Sequence, residues 1–174
     1  MGTTIISPGR FPDLRPTNEV FVVDDDENMR DLLAASLAPN GFSVTGFSDG
    51  ESFMKEANAR VPICVFLDIV MPGRSGLEIL KELSVRRYWA PVFLISACDD
   101  TPMVVEGIKT GAHNYLTKPF DHEAPALRVR DAIEVWAQRE SDRDILEARR
   151  GDWFFLTESE QELLAIGRAM ETVQ

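Results

Sequence analysis

The sequence predicts an α/β protein, a doubly wound (βα)5 fold in which helices cover both faces of a five-stranded parallel sheet. Short apolar runs alternate five times with segments of helical period between Val20 and Trp136. Three of these runs are almost continuously apolar, which is typical of strands buried on both faces. Strict alternation favours parallel strands, because each crossover then carries a helix back over the sheet.

The five apolar runs are the predicted strands. In a sheet of this kind ligands bind beyond the carboxyl ends of the strands, so functional residues are expected where the runs end. In chain order the runs are 20–23 (VFVV), 42–47 (FSVTGF), 63–68 (ICVFLD), 92–96 (VFLIS) and 114–117 (NYLT).

Five helices are predicted, one after each strand. Asn40-Gly41 is a stop signal for the first, Thr101 with Pro102 opens the fourth, and the fifth begins near Asp121. The second helix is predicted over 50–59 with Asp49 as its N-cap, and Asp26 is the expected N-cap of the first.

Four of the predicted helices carry an apolar stripe. These stripes comprise Met29, Leu32, Leu33, Ser36 and Leu37 in the first helix, Phe53 and Ala57 in the second, Leu77, Leu80 and Leu83 in the third, and Val129, Ile133 and Trp136 in the fifth.

Composition excludes several classes of protein. The 174 residues carry a net charge of −11, so a free-standing nucleic-acid binder, which needs a basic face, is not expected. No run approaches the roughly 18 apolar residues of a membrane span, and the first residues lack the long apolar region of a secretory signal. Cys64 lies in an apolar run and is expected to be a buried thiol. These features predict a cytoplasmic protein without a membrane segment.

Charged and hydroxyl side chains follow four of the five strands. Three carboxylates in one cleft repel one another and hold protons tightly unless a cation neutralises them, and Mg²⁺ binds carboxylates together with water and phosphate oxygens. A cation, an ammonium and a hydroxyl can each hold one oxygen of a transferring phosphoryl group, for which Asp68 is the predicted nucleophile. The residues expected to meet at this edge are Asp24, Asp25, Asp68, Ser96, Ala97 and Lys118.

The motifs FVVDDDENMRDLL, VFLDIVMPGRSGLEIL, VFLISA and GAHNYLTKPF carry a family resemblance. Over about Asn18 to Trp136 the sequence resembles the receiver domains of bacterial two-component response regulators. The resemblance implies a strand order of 2-1-3-4-5 and makes Asp68 the phosphoacceptor. It also implies that Asp25, Asp68 and the backbone carbonyl of Val70 bind Mg²⁺ (or Mn²⁺), with Asp24 reaching the ion through water.

The same resemblance assigns the residues that would contact the phosphoryl group and report its presence. Ser96, Ala97 and Lys118 would contact the phosphoryl group. Tyr115 would be the switch aromatic, and the peptide bond between Lys118 and Pro119 would be cis.

The function implied by the resemblance is a phosphorylation switch. A sensor histidine kinase would donate the phosphoryl group to Asp68, and the receiver would change conformation, form a homodimer and control an output, most often transcription. The chain would catalyse only its own phosphoryl transfer and dephosphorylation, so it is not expected to be an enzyme in the wider sense. Because Val70 is apolar and flanks the site, the phosphoryl group is expected to be long-lived.

Other interpretations of these residues remain open at this point. Ser96 could instead cap the fourth helix, and Asp68 could be a turn residue before Met71-Pro72. A phosphatase of the haloacid-dehalogenase type would require a second Asp two residues after the nucleophile, where this sequence has Val70. A receiver-like interaction module that never takes phosphate is the remaining alternative.

The chain is predicted to have three parts: a flexible tail over 1–18, the receiver over 19–138, and a helical extension over 139–174. Thr157 and Glu160 form a capping box ahead of an apolar stripe, which resembles the first helix of a LuxR-type helix-turn-helix output domain. No basic recognition helix follows, so the output domain is expected to be truncated here and DNA to be bound only by a complete one. A plain capped amphipathic helix that packs on the receiver is the alternative interpretation.

Overall fold

The five predicted strands form one parallel sheet. The structure, a computed structural model, describes residues 17–97 and 100–153, with 143–153 described by their backbone only. The sheet has the order β2-β1-β3-β4-β5, so the predicted α/β class and strand order are confirmed. Its strands are β1 (Glu19–Val23), β2 (Ser43–Phe47), β3 (Cys64–Asp68), β4 (Val92–Ala97) and β5 (Asn114–Lys118).

A helix follows each strand, as the alternating pattern predicts. The fifth helix begins at Ala124 rather than near Asp121, and the second ends at Ala57. The helices are α1 (Glu27–Leu37, continued by a 3-10 turn over Ala38–Asn40), α2 (Gly50–Ala57), α3 (Gly76–Val85), α4 (Thr101–Thr110) and α5 (Ala124–Trp153).

Side chains cap the first three helices at their N-termini. The Asp26 carboxylate accepts a hydrogen bond from the N–H of Asn28 at 2.9 Å, which confirms its predicted role as the cap of α1. Asp49 likewise accepts from the N–H of Ser52 at 2.8 Å and caps α2. Ser75 and Glu78 form a reciprocal capping box at the start of α3. These caps fix the residues at which α1, α2 and α3 begin, and α1 and α3 begin shortly after β1 and β3 end.

The sheet is buried on both faces. Phe21 and Val23 of β1 belong to one cluster with Phe53 of α2, and this cluster also includes Ile79 of α3 and Val104 of α4. The neighbouring positions Val20, Val22, Phe66 and Phe93 are also fully buried and point to the opposite face, because successive strand residues alternate. Cys64 is buried, as expected, and burial raises the pKa of its thiol.

Two apolar positions that the stripes assign to the core are exposed. In α1 the buried residues are Leu33, Ser36 and Leu37, whereas Leu32 is 42% exposed. In α5, Ala132 is buried beyond Val129, whereas Ile133 is 43% exposed. An apolar stripe of helical period includes positions at the border of the buried face, and periodicity alone does not predict which of two adjacent residues is buried.

The chain divides into two compact units, Met1–Val135 and Trp136–Gln174, with the boundary inside α5. The described part of the second unit is the continuation of α5 to Trp153. Within the ranges described above, no helix is long and apolar enough to cross a bilayer. Most of the predicted tail (1–16), Cys98, and the predicted output helix with its capping box all lie outside the described residues.

Candidate functional site

Three carboxylates meet at the carboxyl edge of the sheet. Asp24 follows β1 directly and Asp68 ends β3, the strand paired with β1. One carboxylate oxygen from each of Asp24, Asp25 and Asp68 lies within 4.8 Å of the other two. Asp24 is fully buried and Asp68 is 6% exposed, whereas Asp25 is open to solvent. The loop after β1 and the end of β3 therefore build one acidic cluster with a solvent-facing side.

Lys118 brings the only basic group that forms an ion pair with this cluster among the described residues. It ends β5, and its Nζ lies 3.1 Å from Oδ2 of Asp24 and 3.6 Å from Oδ2 of Asp68. The register of the sheet brings Lys118 and Asp68 to the same edge. Both residues belong to strands that pair with β4, where Lys118 lies opposite Ala97 and Asp68 lies opposite Ile95, two residues earlier. Three carboxylates face one ammonium, so the cluster keeps an excess of negative charge.

Burial and charge shift the pKa values of both partners. Burial raises the pKa of Asp68 to about 6, the nearby charge of Asp24 contributes to the rise, and Lys118 and the backbone N–H of Val70 oppose it. Burial disfavours the charged form of Lys118, but the carboxylates of Asp68 and Asp24 outweigh it and raise the pKa of Lys118 overall. Lys118 is therefore a permanent cation, whereas Asp68 holds its proton more tightly than an ordinary aspartate.

The raised pKa of Asp68 is measurable in the metal-free protein. In a carboxyl ¹³C NMR titration in EDTA, Asp68 is expected to titrate near pH 6, while exposed Asp49 titrates below the ordinary value of 3.8 because the N–H of Ser52 stabilises its charge. Between about pH 4 and pH 6 the folded state keeps a proton on Asp68 that the unfolded chain has released. The contribution of Asp68 to the free energy of unfolding is therefore most favourable below about pH 4 and is lost as the pH rises through about 6. A titration midpoint of Asp68 near pH 4 would contradict the conclusion that burial raises its pKa.

Arg30 was not singled out by the sequence, yet it supports the acidic cluster. Its Nη1 donates to the backbone carbonyl of Asp24 at 2.7 Å, while the N–H of Asp26 donates to Oδ1 of Asp24 at 2.9 Å. A Cβ on Gly46 of β2 would lie 3.0 Å from Cδ of Arg30, so the glycine makes room for the arginine stem. The sequence around a single arginine in a helix does not predict such a contact, because the contact depends on how the helix packs beside β1 and β2.

The loop after Asp68 passes close to α3. The N–H of Ile69 donates to the carbonyl of Ile95, and the N–H of Gly76 donates to the carbonyl of Ile69 at 2.9 Å. A Cβ on Gly76 would overlap the backbone carbonyl of Asp68. Val70, the predicted carbonyl ligand, lies in this loop with its side chain 58% exposed. Gly76 is thus a second residue that the sequence interpretation missed, although it stands inside the quoted motif.

The remaining predicted residues lie on β4 and β5. Ser96 is buried opposite Thr117, and Asp100 occupies the N-cap position of α4, so the interpretation of Ser96 as that cap is wrong. Tyr115 is 42% exposed on β5. The peptide bond between Lys118 and Pro119 is cis, as expected.

The carboxylate cluster fits a small hard cation. Mg²⁺ takes oxygen ligands at 2.0–2.1 Å, so two ligands on opposite sides of one ion are about 4.2 Å apart. The three carboxylate oxygens of Asp24, Asp25 and Asp68 all lie within 4.8 Å of one another, so they are close enough to share one ion directly or through water, and carboxylate oxygens are the donors that such ions prefer. The excess negative charge of the cluster favours the same ligand.

Comparison with known proteins identifies the domain. The family model of the response regulator receiver domain matches residues 20–130. The chain belongs to this family. The matched span begins within β1 and ends within α5, so the receiver domain contains nearly the whole sheet and every residue of the acidic cluster.

Relatives of this receiver domain occur in longer regulators. The chain is 30% identical over 164 residues to the response regulator protein TodT of Pseudomonas putida, covering 90% of this chain and 72% of TodT. It is 38% identical over 128 residues to the transcriptional regulatory protein FixJ of Azorhizobium caulinodans, covering 72% of this chain and 59% of FixJ. The solved receiver domain of NtrX from Brucella abortus superposes with a TM-score of 0.63 at 33% identity, covering 66% of this chain and 98% of that one.

Proposed function

We propose that this receiver accepts a phosphoryl group on Asp68 from a sensor histidine kinase and thereby switches an output. One observation supports this above all: Asp68, a buried aspartate at a strand end, lies close to a second buried aspartate and 3.6 Å from the Nζ of a lysine. A surface turn residue would have neither the burial nor the fixed cation. The receiver family supplies the reaction class, and the cluster supplies residues suited to it.

The transfer itself needs a nucleophile and positive charge at the phosphoryl oxygens. An oxygen of the Asp68 carboxylate attacks phosphorus, the new P–O bond forms as the P–N bond to the kinase histidine breaks, and the imidazole nitrogen keeps the electron pair. The Lys118 ammonium neutralises charge on the transferred group, and the Ser96 hydroxyl donates a hydrogen bond to it. Asp68 must be ionised to react, and a neutral pH allows this because it lies above the Asp68 pKa of about 6.

A metal ion has a defined place in this proposal. Asp25, Asp68 and the carbonyl of Val70 would hold Mg²⁺, which would supply positive charge at the place where the phosphoryl group is transferred. Both oxygens of Asp24 already have partners, Oδ1 with the N–H of Asp26 and Oδ2 with Lys118. This favours Asp24 as a ligand that reaches the ion through water rather than directly.

The output step is proposed from the relatives. FixJ is named a transcriptional regulatory protein and TodT a response regulator, so we propose a transcriptional output in the cytoplasm, with a phosphorylation-dependent homodimer as the active form. The phosphoryl group adds about two negative charges, which draw Ser96 towards Asp68 and let Tyr115 rotate inward. The chain acts on no other substrate; it catalyses only its own phosphorylation and dephosphorylation.

Phosphorylation is expected to require a divalent cation. Incubated with phosphoramidate and Mg²⁺, the protein is expected to gain the mass of one phosphoryl group, and replacing Mg²⁺ with EDTA should slow the gain roughly 100-fold or more. The physical reason is that an anionic donor must approach a cluster whose carboxylates outnumber its ammonium. Intact-protein mass spectrometry measures both rates. No mass gain with Mg²⁺ would support the alternative, a receiver-like module that does not take phosphate.

Val70 is expected to prolong the life of the phosphoryl group. Its exposed apolar side chain flanks the site and offers no hydrogen bond to an attacking water. Val70→Asn is therefore expected to lose the phosphoryl group several-fold faster than wild type after removal of the donor. Val85→Asn is the matched control, because Val85 is 84% exposed at the far end of α3 and should leave the rate unchanged. Equal rates for wild type and Val70→Asn would refute the role.

A further inference from the structure

The backbone amide of Ala97 already has an anionic partner. Ala97 ends β4 beside Lys118, and its N–H donates to Oδ2 of Asp100 at 2.9 Å. The N–H of Asp100 returns a hydrogen bond to the carbonyl of Ala97 at 3.2 Å. Both backbone polar groups of Ala97 are thus held by one aspartate, which fastens the end of β4 to the start of α4.

The orientation of the Asp100 carboxylate is unusual for its position. Asp100 is the N-cap residue of α4, where an aspartate ordinarily accepts hydrogen bonds from amides of the first helical turn. Here the side chain makes no such bond and turns back to the strand instead. One of the usual partners does not exist, because Pro102 at the start of the helix has no N–H.

We infer that Asp100 occupies the amide that the phosphoryl group needs, and must leave it before phosphorylated Asp68 can be fully held. This inference rests on the proposed function and on the expectation, implied by the family resemblance, that Ala97 contacts the phosphoryl group. A backbone N–H donates one good hydrogen bond, so the two anions compete for it. They also repel each other, since the phosphoryl group brings about two negative charges to the same edge of the sheet. Asp100 is therefore a positioning residue that opposes the phosphorylated state.

The consequence reaches α4 through the chain. Release of the Asp100 side chain loosens the link between Ala97, the last residue of β4, and the residue that directly precedes α4. A change in the acceptor bound to the Ala97 N–H, from Asp100 to the phosphoryl group, is therefore expected to alter how the start of α4 is held. Lys81 of α3 pairs with Glu106 of α4 at 3.1 Å, so the middle of α4 has a separate attachment that does not involve the amide.

The test measures binding of beryllium fluoride, a phosphoryl mimic, with Mg²⁺ present. Asp100→Ala removes the competing acceptor and is expected to bind the mimic about 5- to 10-fold more tightly than wild type, which corresponds to one hydrogen bond. Asp100→Asn keeps the shape and an acceptor but removes the charge, so an intermediate gain is expected. Glu106→Ala is the control, because it removes one negative charge from α4 without touching the Ala97 amide.

A second readout reports on the amide itself. In ¹⁵N-labelled protein without the mimic, the Ala97 amide resonance is expected to shift in Asp100→Ala and to stay in place in Glu106→Ala. Equal affinities for wild type and both Asp100 variants, with an unmoved Ala97 resonance, would overturn the inference while leaving the proposed function intact. Wild type that neither binds the mimic nor gains mass from phosphoramidate would overturn the proposed function, and the inference with it.

Discussion

Asp68→Asn is expected to take no phosphoryl group from phosphoramidate and Mg²⁺ while folding more stably than wild type in metal-free buffer. The first effect follows because an amide oxygen does not act as the nucleophile. The second follows because the fold disfavours a charge at Asp68, whose pKa is raised from 3.8 to about 6. A pKa rise of that size corresponds to an increase of roughly 2–3 kcal/mol in the free energy of unfolding of the variant at pH 7.5. This value is an upper bound, because the neutral amide would also lose the attraction of Lys118.

The two effects have opposite signs, which makes the variant informative. A loss of phosphorylation through misfolding would lower the thermal midpoint, whereas removal of a buried charge raises it. Asp31→Asn is the matched control, since Asp31 is exposed on α1 and the substitution changes the net charge equally. It is expected to be phosphorylated like wild type and to unfold at the same temperature. Phosphorylation of Asp68→Asn at the wild-type rate would remove Asp68 from the proposed reaction.

Gly76→Ala is expected to destabilise the protein by roughly 3 kcal/mol and to displace Asp68, the proposed phosphoacceptor. The added Cβ would overlap the backbone carbonyl of Asp68, and a backbone group at the end of a buried strand cannot move aside as a flexible side chain can. The hydrogen bond from the N–H of Gly76 to the carbonyl of Ile69 would be strained by the same shift. Urea unfolding measures the stability, and the phosphorylation assay measures the site.

Gly73→Ala provides the comparison for this prediction. Gly73 has φ +78, in the left-handed region, but a Cβ there would meet no atom within 4 Å. Its replacement is expected to cost about 1 kcal/mol through backbone strain alone and to leave phosphorylation largely unchanged. A larger loss of stability for Gly73→Ala than for Gly76→Ala would show that backbone strain in the loop outweighs the contact with Asp68.

Much of the fold and part of the site can be predicted from the sequence, for a local reason. Continuous apolar runs mark strands buried on both faces, and residues such as Asp68 and Lys118 end those runs. Parallel strands bring their carboxyl ends to one edge, so strand ends alone predict which side chains meet. The helix stripes are less informative, as Leu32 and Ile133 show, because a helix presents adjacent positions at the border of its buried face.

The sequence by itself determined the order of strands and helices, the acidic pair after β1, and the candidate nucleophile at the end of β3. Only the tertiary structure decided which partner each group has: Arg30 on the carbonyl of Asp24, Gly76 against Asp68, and Asp100 on the amide of Ala97. Periodicity reports on burial, which repeats along an element. A hydrogen bond depends on the direction of single atoms that separate elements bring together, and no local pattern in the chain encodes that direction.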